Sequence, residues 1–346
     1  MTCVSVIVPV HNGESTLGRT LASAQTQSLA DIEIIVVDDG STDTSADIAE
    51  AAARQDARIT LVRTDNRGVA AARNTAIERA QGAFVAPLDA DDLWHPRKLE
   101  LQMQALTGAS PDTVLAYNWF VPIGAADDIL VRPKMPVIDG AVYYRHLDYN
   151  FISNGSTPLI RRCALRGLRY DAGLAARGVG GCEDYLLQLE LALRGKFVCV
   201  PAFLTGYRKA GGGMSAQTER MLRSHIAVLT YMRERGPMNA KGVIDRRLAE
   251  FEAQLARHRV RRGRIIEASA AGFRGMMHSP TAAFRQLAED AASMRGAARD
   301  EPHADNAGRT FPIGDPFEAI GLPIPEARRR RLAPLQERDV EARYLA

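Results

Sequence analysis

The chain has 346 residues, 46% of them hydrophobic and 25% charged, with a formal net charge of +3. That balance is ordinary for a globular protein and too weakly basic to favour nucleic acid, and the length exceeds one typical core, so a full domain plus a substantial extension is expected. No run approaches the roughly 20 apolar residues that cross a bilayer.

The opening segment, Met1 to Asn12, has no basic stretch ahead of its apolar run and no small-residue cleavage site. It reads as a first strand, and a cytoplasmic chain is expected. Cys3, Cys163, Cys182 and Cys199 show neither CxxC spacing nor companion histidines and read as reduced, packed thiols.

From residue 3 to about 107 strand and helix patterns alternate. "VSVIVPV" is followed by a helix with Leu17, Leu21 and Ala24 on one face, then by "IEIIVV" and a helix beginning near Thr42 with Ser41 or Thr42 as its cap. "RITLVRT", a helix from about Val69 to Ala80 and "AFVAPLDADD" come next, and a further helix opens after Pro96 with Leu99, Met103 and Leu106 aligned. Four strands separated by helices predict βαβ units and a doubly wound, mainly parallel α/β sheet flanked by helices.

Beyond about residue 110 the pattern loosens: "TVLAYNWFVPI" and "STPLIRR" suggest short strands among irregular chain, where antiparallel pairing and loops would build an acceptor pocket. Glu183 to Arg194 is a clear helix with Leu186, Leu189 and Leu193 in a stripe, followed by the strand "KFVCVPA". After Met214 the chain becomes helical and basic, with Ile244, Leu248, Phe251 and Leu255 in a stripe ahead of Arg257, Arg259, Arg261, Arg262 and Arg264. The expected organisation is a catalytic domain over 1–215, a helical extension over 216–300 and a Pro/Arg-rich tail over 301–346 that is loosely ordered or partner-dependent. Within the first, 1–107 and 108–215 form two halves.

Two features carry chemistry. "IIVVDDGSTD" ends a buried strand in adjacent carboxylates, Asp38 and Asp39, and "AFVAPLDADD" ends another in Asp89, Asp91 and Asp92. In open α/β sheets the carboxyl ends of strands border the ligand crevice. In extended chain a D-x-D spacing turns Asp89 and Asp91 the same way, and hard carboxylate oxygens suit Mn²⁺ or Mg²⁺ completed by diphosphate oxygens and water.

The ordered set "VSVIVPVHNGESTL", "IIVVDDGSTD", "NRGVAAARN", "FVAPLDADDLWHPRKLE" and "CEDYLLQLELALRG" closely resembles the family 2 glycosyltransferases, inverting enzymes of the GT-A fold. The resemblance covers about residues 3 to 215. It implies a nucleoside-diphosphate-sugar donor, most often UDP-linked, a divalent metal, and transfer to a hydroxyl of a glycan or lipid-linked acceptor in cell-surface polysaccharide synthesis. It places the nucleotide on Pro9, Val10, His11, Glu14 and Asp39, with Asp38 supporting the turn, and on Arg73, Asn74 and Asp89, where Gly68 lets the backbone approach. Metal falls to Asp91 with Asp89, and Asp92 caps the next element. Trp94 either walls the site or packs.

In the same resemblance Asp184 is the base and Glu183 its neighbour, both at a helix N-terminus whose dipole favours a carboxylate. Asn154, Ser156 and Thr157 fall near the acceptor, and Arg161 and Arg162 are either there or solvated. The chain departs from the family where many relatives carry a histidine after the last strand: Ala210 stands there, in a Gly-rich stretch that reads as a lid, with Arg208 and Lys209 as compensating charge for the diphosphate.

Two other functions fit the fold class: a sugar-nucleotide nucleotidyltransferase, for which "PVHNGESTL" lacks a Gly-rich basic loop, and a non-catalytic nucleotide-sugar-binding module, against which Asp91 and Asp184 stand. A nicotinamide dehydrogenase would want GxGxxG after the first strand. The basic helical region either touches a membrane surface peripherally, pairs with a second subunit, or solvates one face of helices packed on the catalytic domain.

Overall fold

A computed structural model describes residues 3–133, 135–209, 217–296 and 338–339. The β-branched run Val4–Val10 forms β1, buried throughout. Its neighbours on either side are β2 (Ile32–Asp39) and β4 (Phe84–Pro87), both parallel to it, and β3 (Ile59–Thr64) lies beyond β2. Successive residues serve opposite faces: Val4, Val6, Val8 and Val10 join one apolar cluster while Ile7 joins another, and Ile34 and Val36 separate from Ile35 and Val37 in the same way. Both faces are therefore covered, which is why these strands read as continuous apolar runs.

The covering helices of this half are α1 (Leu17–Gln25), α2 (Ser45–Gln55), α3 (Val69–Arg79) and α4 (Lys98–Gly108). Helix α2 starts three residues later than the expected Thr42, because carboxylates and not Ser41 or Thr42 meet its free amides. Asp43 accepts from the Ser45 N–H at 2.9 Å and Glu14 from the Thr44 N–H at 3.1 Å.

The sheet does not stop where the clean periodicity does. Its order is β3-β2-β1-β4-β7-β6-β8-β5, eight strands in all among the described residues. β7 (Leu159–Arg161) runs antiparallel to both β4 and β6 (Thr113–Ile123), whereas β6 and β8 (Lys196–Arg208) are parallel. The expected four strands of the first half become five, since Leu93–Trp94 pairs antiparallel with β8 as β5. Two residues after an acidic turn are too few to show a period. The architecture is a mixed, mostly parallel sheet flanked by helices, of the GT-A type.

Helices α5 (Tyr143–Asp148), α6 (Gly173–Ala176) and α7 (Glu183–Arg194) follow among the second set of strands, and α8 (Thr218–Arg235), α9 (Lys241–Val260), α10 (Ile265–His278) and α11 (Pro280–Gly296) form the C-terminal helical region. Val228, Leu229 and Met232 of α8 and Val243, Ile244 and Leu248 of α9 belong to the same apolar cluster as the sheet residues Tyr117 and Trp119. Of the C-terminal tail only Arg338 and Asp339 are described; Asp339 is buried and accepts from Arg145 Nε at 2.7 Å and from the Tyr144 N–H. The expectation of a loosely ordered tail lies otherwise outside the described residues.

The cysteines are free thiols, but Cys163 is exposed and not packed. Its position in the short turn after β7 faces it outward.

Candidate active site

Parallel register sets the site. Val10 pairs with Asp38 and Ile7 with Pro87, so the carboxyl ends of β1, β2 and β4 share one sheet edge, and the acids after β2 and β4 emerge beside each other. Asp38 closes its turn by accepting from the Ser41 N–H at 3.1 Å, and Gly40 within it has φ 70°. A side chain at Gly40 would also place a Cβ 2.8 Å from the Asn66 nitrogen.

Asp39 accepts from the Arg67 and Gly68 N–H groups at 2.9 and 2.7 Å, tying the end of β2 to the start of α3. Gly68, at φ 89°, permits that turn. The His11 Nδ1 lies 3.0 Å from the Asp39 carbonyl oxygen, which can only accept, so Nδ1 carries the proton and Nε2 accepts from the Asn66 amide at 3.1 Å. Pro9 and Val10 are buried strand residues, and Val10 joins the apolar core. Glu14 is occupied at α2, where it also accepts from the Thr44 hydroxyl at 2.8 Å.

Helix α3 then delivers Arg73 into the crevice. Its guanidinium is buried and donates to Asp89, with the ring of Tyr170 5.1 Å below it. Burial opposes that charge, yet Asp89, then Tyr170 and Asp184, outweigh it and hold Arg73 above the ordinary arginine value. Asn74, expected at the nucleotide, instead clamps the backbone of Tyr170, donating to its carbonyl and accepting from its N–H at 2.9 Å each. Adjacent positions on a helix point about 100° apart, so Asn74 fixes the platform on which Arg73 rests.

Asp184 opens α7 and accepts from the Tyr185 N–H at 2.8 Å. Burial pushes its carboxyl up to about 6, against the pull of Arg73. Glu183 also borders the cavity but is buried, and it accepts from the Gly181 N–H at 2.9 Å and so fastens the loop before the helix. Of the two acids, Asp184 is the one with a partly exposed side chain beside Arg73 and Asp89.

Within the D-x-D turn the three acids separate in role. Asp89 takes Arg73 and is held by its own N–H donating to the Ser156 hydroxyl at 3.0 Å. Asp92 is fully buried and accepts from the Arg208 N–H at 2.9 Å; it ties the turn to β8 instead of capping the next element, which was the expectation from sequence. Asp91 is pushed up to about 6 by burial and then by the charge of Asp89. Three carboxylates this close repel, and a divalent cation at Asp91 and Asp89 would relieve that repulsion. Among the described residues no group of three or more His, Cys, Asp or Glu is disposed to hold a metal alone. One or two carboxylates are nevertheless the donor set of a Mg²⁺ or Mn²⁺ site completed by diphosphate and water, and the residues fit it.

The segment after α5 brings Asn154, Ser156 and Thr157 to this edge. Asn154 Oδ1 accepts from the Ser156 and Thr157 N–H groups at 3.0 and 3.1 Å, leaving its buried Nδ2 without a partner among the described residues. Ser156 holds Asp89 by its hydroxyl and the Trp94 Nε1–H by its carbonyl at 2.8 Å, so Trp94 packs beneath the site and does not wall it. Arg161 is half-buried and Arg162 exposed, and their guanidinium groups donate to the carbonyls of Thr113 and Gly82 at 2.7 and 2.6 Å.

Arg208, expected beside the diphosphate, is a brace. Buried at the end of β8, it donates to the Asp91 carbonyl at 2.7 Å, to the Gly124 carbonyl at 2.5 Å and to Asp127. Exposed Lys209 places Nζ 4.4 Å from the centre of the Tyr207 ring. Ala210 and the glycines read as a lid lie outside the described residues.

A cavity of about 330 Å³ joins some of these parts, while His11, Asp39 and Asp91 are not among its lining residues. Arg73, Asp89 and Asp184 line it together with Asn154 and Gly155, and Met221, His225, Arg247 and Phe251 of α8 and α9 form the far wall. Sequence reasoning missed this wall. The stripe containing Phe251 was visible, but nothing in its spacing says that one edge faces a crevice. Gly155 was missed as well: a Cβ there would lie 2.9 Å from Arg73 Nη2 and 3.2 Å from Asp89 Oδ2.

Comparison with known proteins bears on the same region. Residues 5–157 match the family described as glycosyl transferase family 2. The putative glycosyltransferase EpsH of Bacillus subtilis is 42% identical over 112 residues, 32% of each chain. WfgD of Escherichia coli, named as a UDP-Glc:alpha-D-GlcNAc-diphosphoundecaprenol beta-1,3-glucosyltransferase, is 40% identical over 105 residues, 30% of this chain and 40% of its own. The matches thus span between about a quarter and two fifths of the length of the first curated relatives. Among solved structures, the mannosyltransferase PcManGT of Pyrobaculum calidifontis, in complex with GDP-Man and Mn²⁺, superposes with a TM-score of 0.58 at 21% identity over 86% of this chain and 81% of its own.

Proposed function

With residues 5–157 a family 2 glycosyltransferase region set in a GT-A fold, we propose that the chain is an inverting, metal-dependent glycosyltransferase using a nucleoside-diphosphate sugar, UDP-linked by preference. The acceptor is a hydroxyl of a glycan or lipid-linked saccharide, and the setting is cell-surface polysaccharide synthesis on the cytoplasmic side. The named donor and diphosphoundecaprenol acceptor of WfgD support both choices. The GDP-Man bound by PcManGT is the reason the nucleotide must be tested.

The observation that carries the reading is one cavity shared by Arg73, Asp89 and Asp184. Asp184 accepts the proton of the acceptor hydroxyl as its oxygen bonds to the anomeric carbon; the bond from that carbon to the diphosphate oxygen breaks, and the diphosphate leaves on the opposite face with inversion. A carboxyl pushed up to about 6 is basic enough to take that proton near neutrality while still ionised. Arg73 fixes Asp89 and adds a buried positive charge beside the leaving group, and the edge at His11 and Asp39 takes the base and ribose. Mn²⁺ or Mg²⁺, when held by Asp91 with Asp89, supplies charge neutralisation to the diphosphate.

The test is a panel of nucleotide-sugars with Mn²⁺, read by thermal stabilisation and by donor hydrolysis, on wild type and Asp184→Asn. A UDP-sugar should stabilise both proteins, and only the wild type should transfer. If stabilisation comes from another nucleotide alone, the donor assignment falls; if Asp184→Asn transfers at the wild-type rate, the base does.

A further inference from the structure

Helix α10 is built inside out for a solvated helix. Its buried face is Ala268, Ala271 and Gly275, small enough that a Cβ at Gly275 would stand 3.2 Å from the Ala249 carbonyl oxygen of α9. Its large side chains point outward: Ile266, Phe273 and Met277 are 88%, 68% and 71% exposed. At about 100° per residue their spacing of seven and four puts all three within a narrow arc opposite the buried face. Ser269 and Ala270 border that arc, with Ile265 and Met276 farther round on one side and the ion-paired Glu267 and Arg274 on the other, so the arc itself carries no charge. Val260 before the helix and Phe284 and Leu287 of α11 add further exposed apolar area. Monomeric soluble proteins rarely expose contiguous apolar area on this scale, and amphipathic surface helices turn the opposite face out.

We propose that this face docks on the surface of an anionic lipid bilayer, with α10 lying in the headgroup plane. The charges decide the occupant. Arg261 and Arg262, exposed at the N-terminal end of α10, make no ion pair among the described residues, whereas the one acid of α10, Glu267, is committed to Arg264 and the helix's own Arg274 to Glu252. A second copy docking through the same patch would need free acids there to answer those arginines, because a two-fold contact pairs a surface with itself. Anionic headgroups answer them directly, and arginine stems can reach that level while the apolar face enters the acyl boundary. No helix among the described residues is long and apolar enough to cross the bilayer, so the contact is peripheral.

The opposite side of α10 rides on α9, whose Arg247 and Phe251 line the cavity, so docking would hold that cavity near the headgroups, where a lipid-linked acceptor presents its sugar. The surface itself does not depend on the transfer reaction. The full-length protein should float with vesicles of phosphatidylglycerol and phosphatidylcholine, less so as salt is raised, and weakly with phosphatidylcholine alone. The triple variant Ile266→Ser, Phe273→Ser, Met277→Ser should lose about tenfold or more in partitioning. Arg261→Glu with Arg262→Glu should remove the preference for anionic vesicles. All five positions are exposed, and unchanged melting confirms folding. Asp184→Asn should float as wild type does, which separates failure of this surface from failure of the reaction. The proposal is overturned if wild type does not float, if either variant floats like wild type, or if wild type sediments as a dimer that the triple variant dissolves without any vesicle binding.

Discussion

Arg73 is the residue on which the others converge. It is buried, salt-bridged to Asp89, stacked on Tyr170 and within the field of Asp184, so its geometry determines whether those two carboxylates stay in register. Gly155 sits against that pair with no room for a side chain. Gly155→Ala should therefore displace Arg73 or Asp89 by a fraction of an ångström and lower the transfer rate on the order of tenfold to a hundredfold, since small misplacements of reacting groups have costs of that size. Melting should shift little, because the segment is a loop at the cavity rim. Steady-state rates with a matched melting curve check it; an unchanged rate would show that the pair tolerates the methyl group. Only part of this constellation was legible in the sequence. The acids after β2 and β4 and at the head of α7 announce themselves by position. The commitments of Asn74, Glu14 and Arg208 to backbone groups do not, because a polar side chain in a motif looks the same whether a ligand or a turn receives its hydrogen bonds.

At the scale of elements, α5 shows how a polar residue is placed by packing. His146 is fully buried among Phe151, Tyr185 and Phe197, with Nε2 3.1 Å from Gln188 Oε1 of α7. Burial drives its pKa down to about 3 from the ordinary 6.5, only partly offset by Gln188. The folded value lies below the unfolded one, so the unfolded chain takes up the proton first. Stability is complete above about 6.5 and should fall as pH drops towards 3, by about 1.4 kcal/mol per pH unit from this group. Melting curves of wild type against His146→Phe over that window test it: the difference between the two should move in favour of the variant as the solution is acidified. A parallel pair of curves would mean that His146 titrates as it does in water. Element identity was easiest to read where a period ran long, as in α7, which occupies the expected Glu183–Arg194. It failed at β5, two residues long, and at the start of α2, where carboxylates from outside the helix took the place of a capping hydroxyl.

At the scale of the molecule, the sheet and the C-terminal helices share one apolar cluster, with Leu248 of α9 fully buried in it. Leu248→Ala should lower stability by about 2–5 kcal/mol, and the loss should appear as a downward shift of a single transition. Two separated transitions in calorimetry would mean that α8 and α9 fold apart from the eight-stranded sheet. The same packing explains the basic stretch after α9: Arg259 and Arg264 turn inward to Glu219 of α8 at 2.9 and 2.6 Å, leaving Arg261 and Arg262 outside. Charge counted along the chain cannot make that distinction.

The amino-acid sequence by itself determined the parallel half of the sheet, the two strand ends that carry acids, and the helix that presents Asp184. Each of these is written in local periodicity and turn chemistry, which depend on neighbours a few residues away. Only the tertiary structure decided which acids face the cavity and which hold a turn, that α8 and α9 complete the cavity wall, and that α10 turns its large side chains to the outside. Those outcomes depend on what packs against each face, and burial is a property of the assembled chain.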